Sequence, residues 1–166
     1  PVSGDSVLGQ LGVGEWLAGS GRFGILLVAK GATVGGPTAS AKNVIAGNGS
    51  TGLALTVGAD SARIEGNFVG TNAAGNAGLG NGGSGIGIGS KLVTIVDNLV
   101  SGNGVHGGVQ IGIDGGPTIV QGNYVGTNAA GTAAIGSPLG GAPGVVVEAG
   151  RCLIGGTAPG DRNVIS

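Results

Sequence analysis

Apolar residues occupy every second position in a set of short runs separated by glycine and small polar residues. Leu53-Ala54-Leu55-Thr56-Val57, Ile86-Gly87-Ile88, Val109-Gln110-Ile111-Gly112-Ile113 and Val145-Val146-Val147 carry this alternation, the period of a half-buried strand. A second set of runs, Arg63-Ile64-Glu65-Gly66 and Val93-Thr94-Ile95-Val96, leads towards an asparagine. No window supports an amphipathic helix, because a glycine every few residues costs a helix about 1 kcal/mol each relative to alanine. The predicted elements are therefore short strands joined by tight turns, each too short to bury its own apolar face without a stacked neighbour.

The runs recur. Residues 64–80 (IEGNFVGTNAAGNAGLG) match 120–136 (VQGNYVGTNAAGTAAIG) at an offset of 56, residues 25–45 match 145–165 at an offset of 120, and residues 16–27 match 44–55 at an offset of 28. Lining these up places Glu15, Asn43, Asn67, Asn98, Asn123 and Asn163 in one column, at spacings of 28, 24, 31, 25 and 40. A mainly apolar pair follows each, as in Phe68-Val69 and Leu99-Val100. The shortest spacings imply a unit of roughly 22–25 residues, and the longest, 31 and 40, contain TNAAG segments or the Gly/Pro-rich stretch 136–144.

Such units stack into an all-β parallel β-solenoid of β-β-turn coils rising about 4.8 Å per layer. The chain is expected to form a single domain over 1–166, of about five to six coils. Residues 24–166 make the regular coils and 1–23 an atypical end coil or cap. The column has a direct physical use: a side-chain amide donates to one neighbouring layer and accepts from the other, so a stack of them satisfies a sharp inward bend that water does not reach. Glu15 lacks the amide donor, which is why it is assigned to an end.

Composition narrows the class. Glycine accounts for 42 of 166 residues, but only six are proline and no Gly-X-Y period runs through the chain, which excludes collagen. Hydrophobic residues make up 40%, too many for a disordered chain. Seven Lys+Arg against eight Asp+Glu give a net charge of −1, so the basic footprint of a nucleic-acid binder is missing. No apolar run reaches the ~20 residues of a membrane helix, and a single cysteine leaves no disulfide framework. The chain opens on Pro1, which points to excision from something longer, and stops at Ser166 directly after Asn163-Val164-Ile165, where an uncapped coil is expected.

Candidate chemistry is sparse. G-x-G-x-x-G occurs at 19–24, 47–52, 80–85 and 102–107, yet each copy precedes a strand rather than a helix, so these are repeat corners and not dinucleotide loops. Lys30, Asp60, Lys91 and Asp114 fall near one turn of successive coils and are read as stacked opposite charges. The catalytic alternative, Asp60 and Asp114 with Arg63, lacks the clustered carboxylates that acid–base chemistry on a glycan requires. His106 is read as a turn residue and Cys152 as a small core hydrophobe. The sequon Asn48-Gly49-Ser50 is read as a corner whose amide and hydroxyl serve the backbone. No metal or cofactor site is assigned. The TNAAG segments Thr71–Gly75 and Thr127–Gly131 are expected to project side by side, about 10 Å apart. Thr71, Asn72, Thr127 and Asn128 are their candidate ligand-facing residues.

The strings NVIAGN, GNFVGTNAAGNAGLGNGGSGIGI and GNYVGTNAAG resemble the right-handed parallel β-helix repeats of large secreted and surface proteins of bacteria, within the wider pectate-lyase-like superfamily. The resemblance covers about residues 14–166. It implies a right-handed β-helix and an extracellular or cell-surface location, but no single activity, because this scaffold hosts lyases, hydrolases, epimerases, adhesins and inert spacers. The expected function is a non-catalytic structural or interaction segment without cofactors, able to stack head-to-tail on copies of itself through open coil ends. The alternative is a polysaccharide-binding or lyase-like domain, with an acidic polysaccharide as partner. Neither nucleic acid nor membrane insertion enters either reading.

Overall fold

The computed structural model describes residues 23–166. The expected cap over 1–23 therefore lies almost wholly outside the described residues, as does Glu15. Within them the chain makes five coils, each of three short strands. The first coil holds β1 (Ile25–Leu27), β2 (Thr33–Gly35) and β3 (Val44–Ile45); the second β4 (Leu53–Leu55), β5 (Arg63–Glu65) and β6 (Phe68–Val69). The third contains β7 (Ile86–Ile88), β8 (Val93–Val96) and β9 (Leu99–Val100), and the fourth β10 (Val109–Ile111), β11 (Thr118–Gln121) and β12 (Tyr124–Val125). The fifth closes the series with β13 (Val145–Val147), β14 (Leu153–Ile154) and β15 (Val164–Ile165). Corresponding strands pair in parallel into three five-stranded sheets, β1-β4-β7-β10-β13, β2-β5-β8-β11-β14 and β3-β6-β9-β12-β15.

This is the expected parallel β-helix, with one addition: the apolar pair after each column asparagine is itself a strand, so a coil has three sides rather than two. Two residues are too few for a visible alternation, and only pairing with the layers above and below makes them a sheet. Two 3₁₀ turns, Ala39–Ala41 and Pro159–Asp161, also depart from the all-strand expectation. They sit in the first and fifth coils, the pair related by the offset of 120. Among the described residues no helix is long and apolar enough to cross a membrane.

The core is built from aliphatic rows, each residue standing on its counterpart one coil away. Leu53, Ile86 and Val109 form one row, Ile64, Ile95 and Val120 another, and Val69, Val100 and Val125 a third. All nine are fully buried. Burial of each contributes about 1.5–3 kcal/mol relative to exposure. A slip of one residue in any strand would turn its row outwards, so the aliphatic pattern fixes register as well as stability.

Between the second and third sheets of every coil sits the column asparagine. Nδ2 of Asn43, Asn67, Asn98 and Asn123 donates to Oδ1 of the next asparagine, ending at Asn163, at 2.8, 3.1, 3.0 and 3.0 Å. The same oxygens accept the backbone N–H of the preceding rung, at 2.9 Å for Asn67 to Asn98 and for Asn98 to Asn123. Asn98 Nδ2 also donates back to the carbonyls of Ile64 and Val96, both at 2.9 Å. The expected amide ladder is therefore present through all five coils.

Removing one rung orphans several buried groups together, each worth about 1–3 kcal/mol. Asn98→Ala should lower the unfolding free energy in urea by roughly 3 kcal/mol or more. A second test concerns Gly70, whose φ is +91°. A Cβ there would collide with the carbonyl oxygen of Ser101 and the side chain of Asn103 in the next coil. Gly70→Ala should destabilise by more than about 2 kcal/mol, whereas Gly49→Ala, which meets open space, should fold normally with an unchanged urea midpoint.

Candidate functional site

The TNAAG loops are the most distinctive surface feature, and their geometry differs from the expected protrusions. Each folds back over the outer face of the third sheet. A Cβ at Gly75 would lie 2.9 Å from Phe68 and Leu99 side-chain carbons, and one at Gly131 would lie 2.5 Å from the Tyr124 ring. Both glycines have positive φ, +65° and +68°, so the loop turns down onto the aromatic ring where a side chain would not fit. Lys42 closes the same patch from the first coil, with Nζ 3.7 Å from the Phe68 ring centroid, a cation–π contact.

Asparagine organises each loop from inside. Asn72 Oδ1 accepts the backbone N–H groups of Asn76 and Ala77 at 3.0 and 3.3 Å, and Asn128 Oδ1 accepts those of Thr132 and Ala133 at 2.9 and 3.3 Å. The Thr71 and Thr127 hydroxyls donate to the carbonyls of Asn72 and Asn128. Thr71 is 0% exposed and Thr127 4%, so the assignment of these two threonines as ligand-facing is corrected: they are buried loop anchors. Nor do the loops stand apart by two layers. Ala129 N–H donates to Gly75 carbonyl at 2.8 Å, so the loops bridge across the intervening third coil, whose corner is too short to keep them separate.

A second amide ladder runs along the corner between the third sheet and the first. Asn48 Nδ2 donates to Asn81 Oδ1 at 2.7 Å, and Asn81 Nδ2 to Asn103 Oδ1 at 2.8 Å. Asn81 and Asn103 also reach back to the carbonyls of Ile45 and Val69, at 3.1 and 3.0 Å. All three are buried. Their signal lay in the sequence as Gly-Asn-Gly at the same phase of three G-x-G-x-x-G corners, which identifies a turn but not an inward amide. The ladder also settles the sequon, since the Asn48 amide is already bonded inside the stack.

The charged candidates do not assemble. Arg63 and Glu65 form the one ion pair among the described residues, Nε to Oε2 at 2.8 Å and a second nitrogen to Oε1 at 3.0 Å. Among the described residues Lys30, Asp60, Lys91 and Asp114 form no ion pairs. Instead the Asp60 carboxylate accepts the backbone N–H of Lys91 at 2.8 Å, because the corner brings main chain rather than the ammonium group to it. Arg63 points to Glu65 and not to Asp60 or Asp114. No three His, Cys, Asp or Glu among the described residues gather where they could hold a metal. His106 is exposed in its corner, and Cys152 is half-buried against the core.

Concavities are present as well. One of about 40 Å³ lies near Asn103, Ser137 and Val125. A wider apolar groove of about 670 Å³ runs between Leu79, Ile135, Pro138 and Leu139 over a glycine floor; the one polar side chain in its lining, Asn81, is committed to the ladder. The Ser90 hydroxyl is the sole buried side-chain polar atom without a partner among the described residues.

Against this geometry, comparison with protein-family models, with curated proteins and with solved structures returns no match.

The Arg63–Glu65 pair makes a titration prediction. The hydrogen bond from Arg63 holds the Glu65 carboxyl below its ordinary range, so its stabilising contribution is present above about pH 4.3 and fades as pH falls through the lowered folded value. Asp97 runs the other way: desolvation, then the nearby Glu65 charge, raises its pKa, and acidification relieves that cost. Because Arg63 is 45% exposed, the pair is worth at most about 1 kcal/mol. Glu65→Gln should be slightly less stable than the parent near neutral pH, and urea midpoints measured down to about pH 3 should converge.

Proposed function

We propose that this chain is a non-catalytic structural and interaction segment, a rigid β-helical rod. The observation that carries this reading is the pair of amide ladders. They commit eight buried or half-buried asparagines to layer-to-layer bonding, and Asn72 and Asn128 are committed to their own loops. What is left facing outwards is glycine-rich, sparsely charged and dotted with single apolar side chains such as Val57 and Ile113, suited to a spacer whose length grows by about 4.8 Å per coil.

The finer assignment rests on the resemblance of the repeat strings to right-handed β-helix repeats of secreted and surface bacterial proteins in the pectate-lyase-like superfamily. That is analogy at the level of fold, and the extracellular location comes with it. Stacking on a second copy is part of the same proposal. It rests on the way the coils already join, strand on parallel strand in register, since the same backbone pairing can add a coil from another copy.

Light scattering and electron microscopy across a concentration series test the stacking: linear particles should lengthen with concentration, and Ile154→Lys should shorten them. A strictly monomeric species at every concentration would overturn it. Screening anionic polysaccharides tests the non-catalytic assignment. Release of an unsaturated, ultraviolet-absorbing product would replace it with lyase chemistry, and saturable binding without turnover would make the rod a glycan adhesin.

A further inference from the structure

The two ladders use the same amide in the same way, yet the residue that follows each asparagine divides them. In the column ladder the next residues are Val44, Phe68, Leu99, Tyr124 and Val164. In the second ladder they are Gly49, Gly82 and Gly104, and no other asparagine of the chain precedes glycine. An Asn-Gly bond is the peptide sequence most open to intramolecular attack, because glycine places no side chain in the way of its own nitrogen. We infer that Asn48, Asn81 and Asn103 are latent self-modification sites, kept silent by the fold and opened when the coils separate.

The step needs only water. The main-chain nitrogen of the glycine, losing its proton to solvent base, attacks Cγ of the asparagine. A C–N bond forms, the Cγ–Nδ2 bond breaks, and ammonia leaves with a proton, giving a five-membered succinimide. Water then opens the ring at one of its two carbonyls, leaving aspartate or isoaspartate. The net change is asparagine plus water to an acidic residue plus ammonia, with no oxidant or cofactor.

At Asn81 and Asn103 the folded geometry blocks each requirement; at Asn48 it holds the side-chain amide. Gly82 N–H is bonded to the Asn48 carbonyl at 2.8 Å and Gly104 N–H to the Asn81 carbonyl at 2.7 Å, so the attacking nitrogens are tied into the neighbouring coil and shielded from base. The amide carbons are held by the ladder bonds, with Asn48, Asn81 and Asn103 only 9%, 3% and 2% exposed. The product does not fit where the asparagine did. Aspartate at 81 lacks the Nδ2 donor for Ile45 carbonyl and Asn103 Oδ1, and puts a carboxylate beside acceptor oxygens in a buried corner, a costly arrangement. Isoaspartate also inserts an extra backbone carbon. Opening of the stack is thereby made irreversible: a chain that has reacted while unfolded does not rebuild the ladder.

The full chain is incubated at mildly alkaline pH, folded in buffer and unfolded in urea, in water enriched in oxygen-18, followed by peptide mass spectrometry and a refolding assay. In urea, Asn48, Asn81 and Asn103 should gain the label ahead of the other asparagines. In buffer their rates should be at least about 100-fold lower, since reaction then waits for rare opening of the coils. The refoldable fraction should fall in step with modification in urea. Equal rates in buffer and urea, or column-ladder asparagines reacting as fast as the three, would overturn the inference. So would full recovery of the fold by chains carrying the label at Asn81 or Asn103.

Discussion

Every coil of this solenoid bends inwards where water does not follow, and at each bend a side-chain amide takes water's place. A buried backbone N–H or carbonyl left without a partner costs about 1–3 kcal/mol, and a corner with several such groups would not survive on aliphatic packing alone. The asparagine amide suits the position because it carries donors and an acceptor on one planar group. It serves the carbonyls of its own and the preceding coil while its oxygen receives the N–H of the rung before it. Stacking identical bends then makes each rung the condition for the next.

That constraint organises the rest. Because the rungs are in register, the aliphatic rows beneath them are in register too, and short strands that would be unstable alone acquire neighbours on both sides. The long corners are accommodated outside the stack. The TNAAG loops lie down over Phe68, Leu99 and Tyr124, and the fourth coil's stretch 136–144 borders the apolar groove. Variation in repeat length is therefore carried by the surface, and the three-sided cross-section remains constant.

The same economy limits what the surface does. Repeated polar residues that look like ligands in a linear reading are spent on architecture: Asn72 and Asn128 hold their own loops, Thr71 and Thr127 are buried, and Arg63 is paired with Glu65. The two ladders are equivalent in hydrogen bonding but not in chemistry, since only one is built on asparagine followed by glycine. A structural solution that is stable while assembled thus contains bonds that are reactive when it opens.

The amino-acid order by itself determined the strands, the repeat, the parallel stacking and the column of asparagines, because each leaves a local or periodic trace: alternation of two, recurrence at fixed offsets, one amide per unit. It did not determine the third sheet, whose two-residue strands such as Phe68–Val69 have no alternation to detect. The second ladder was equally hidden, since Gly-Asn-Gly reads as a turn whether its amide points in or out. Nor did it determine that the TNAAG loops meet at Ala129 and Gly75, or that Arg63 turns to Glu65 rather than Asp60. Those outcomes depend on which backbone lies one layer away and on where a side chain points across the corner. Layer-to-layer distances exist only once the coils have stacked.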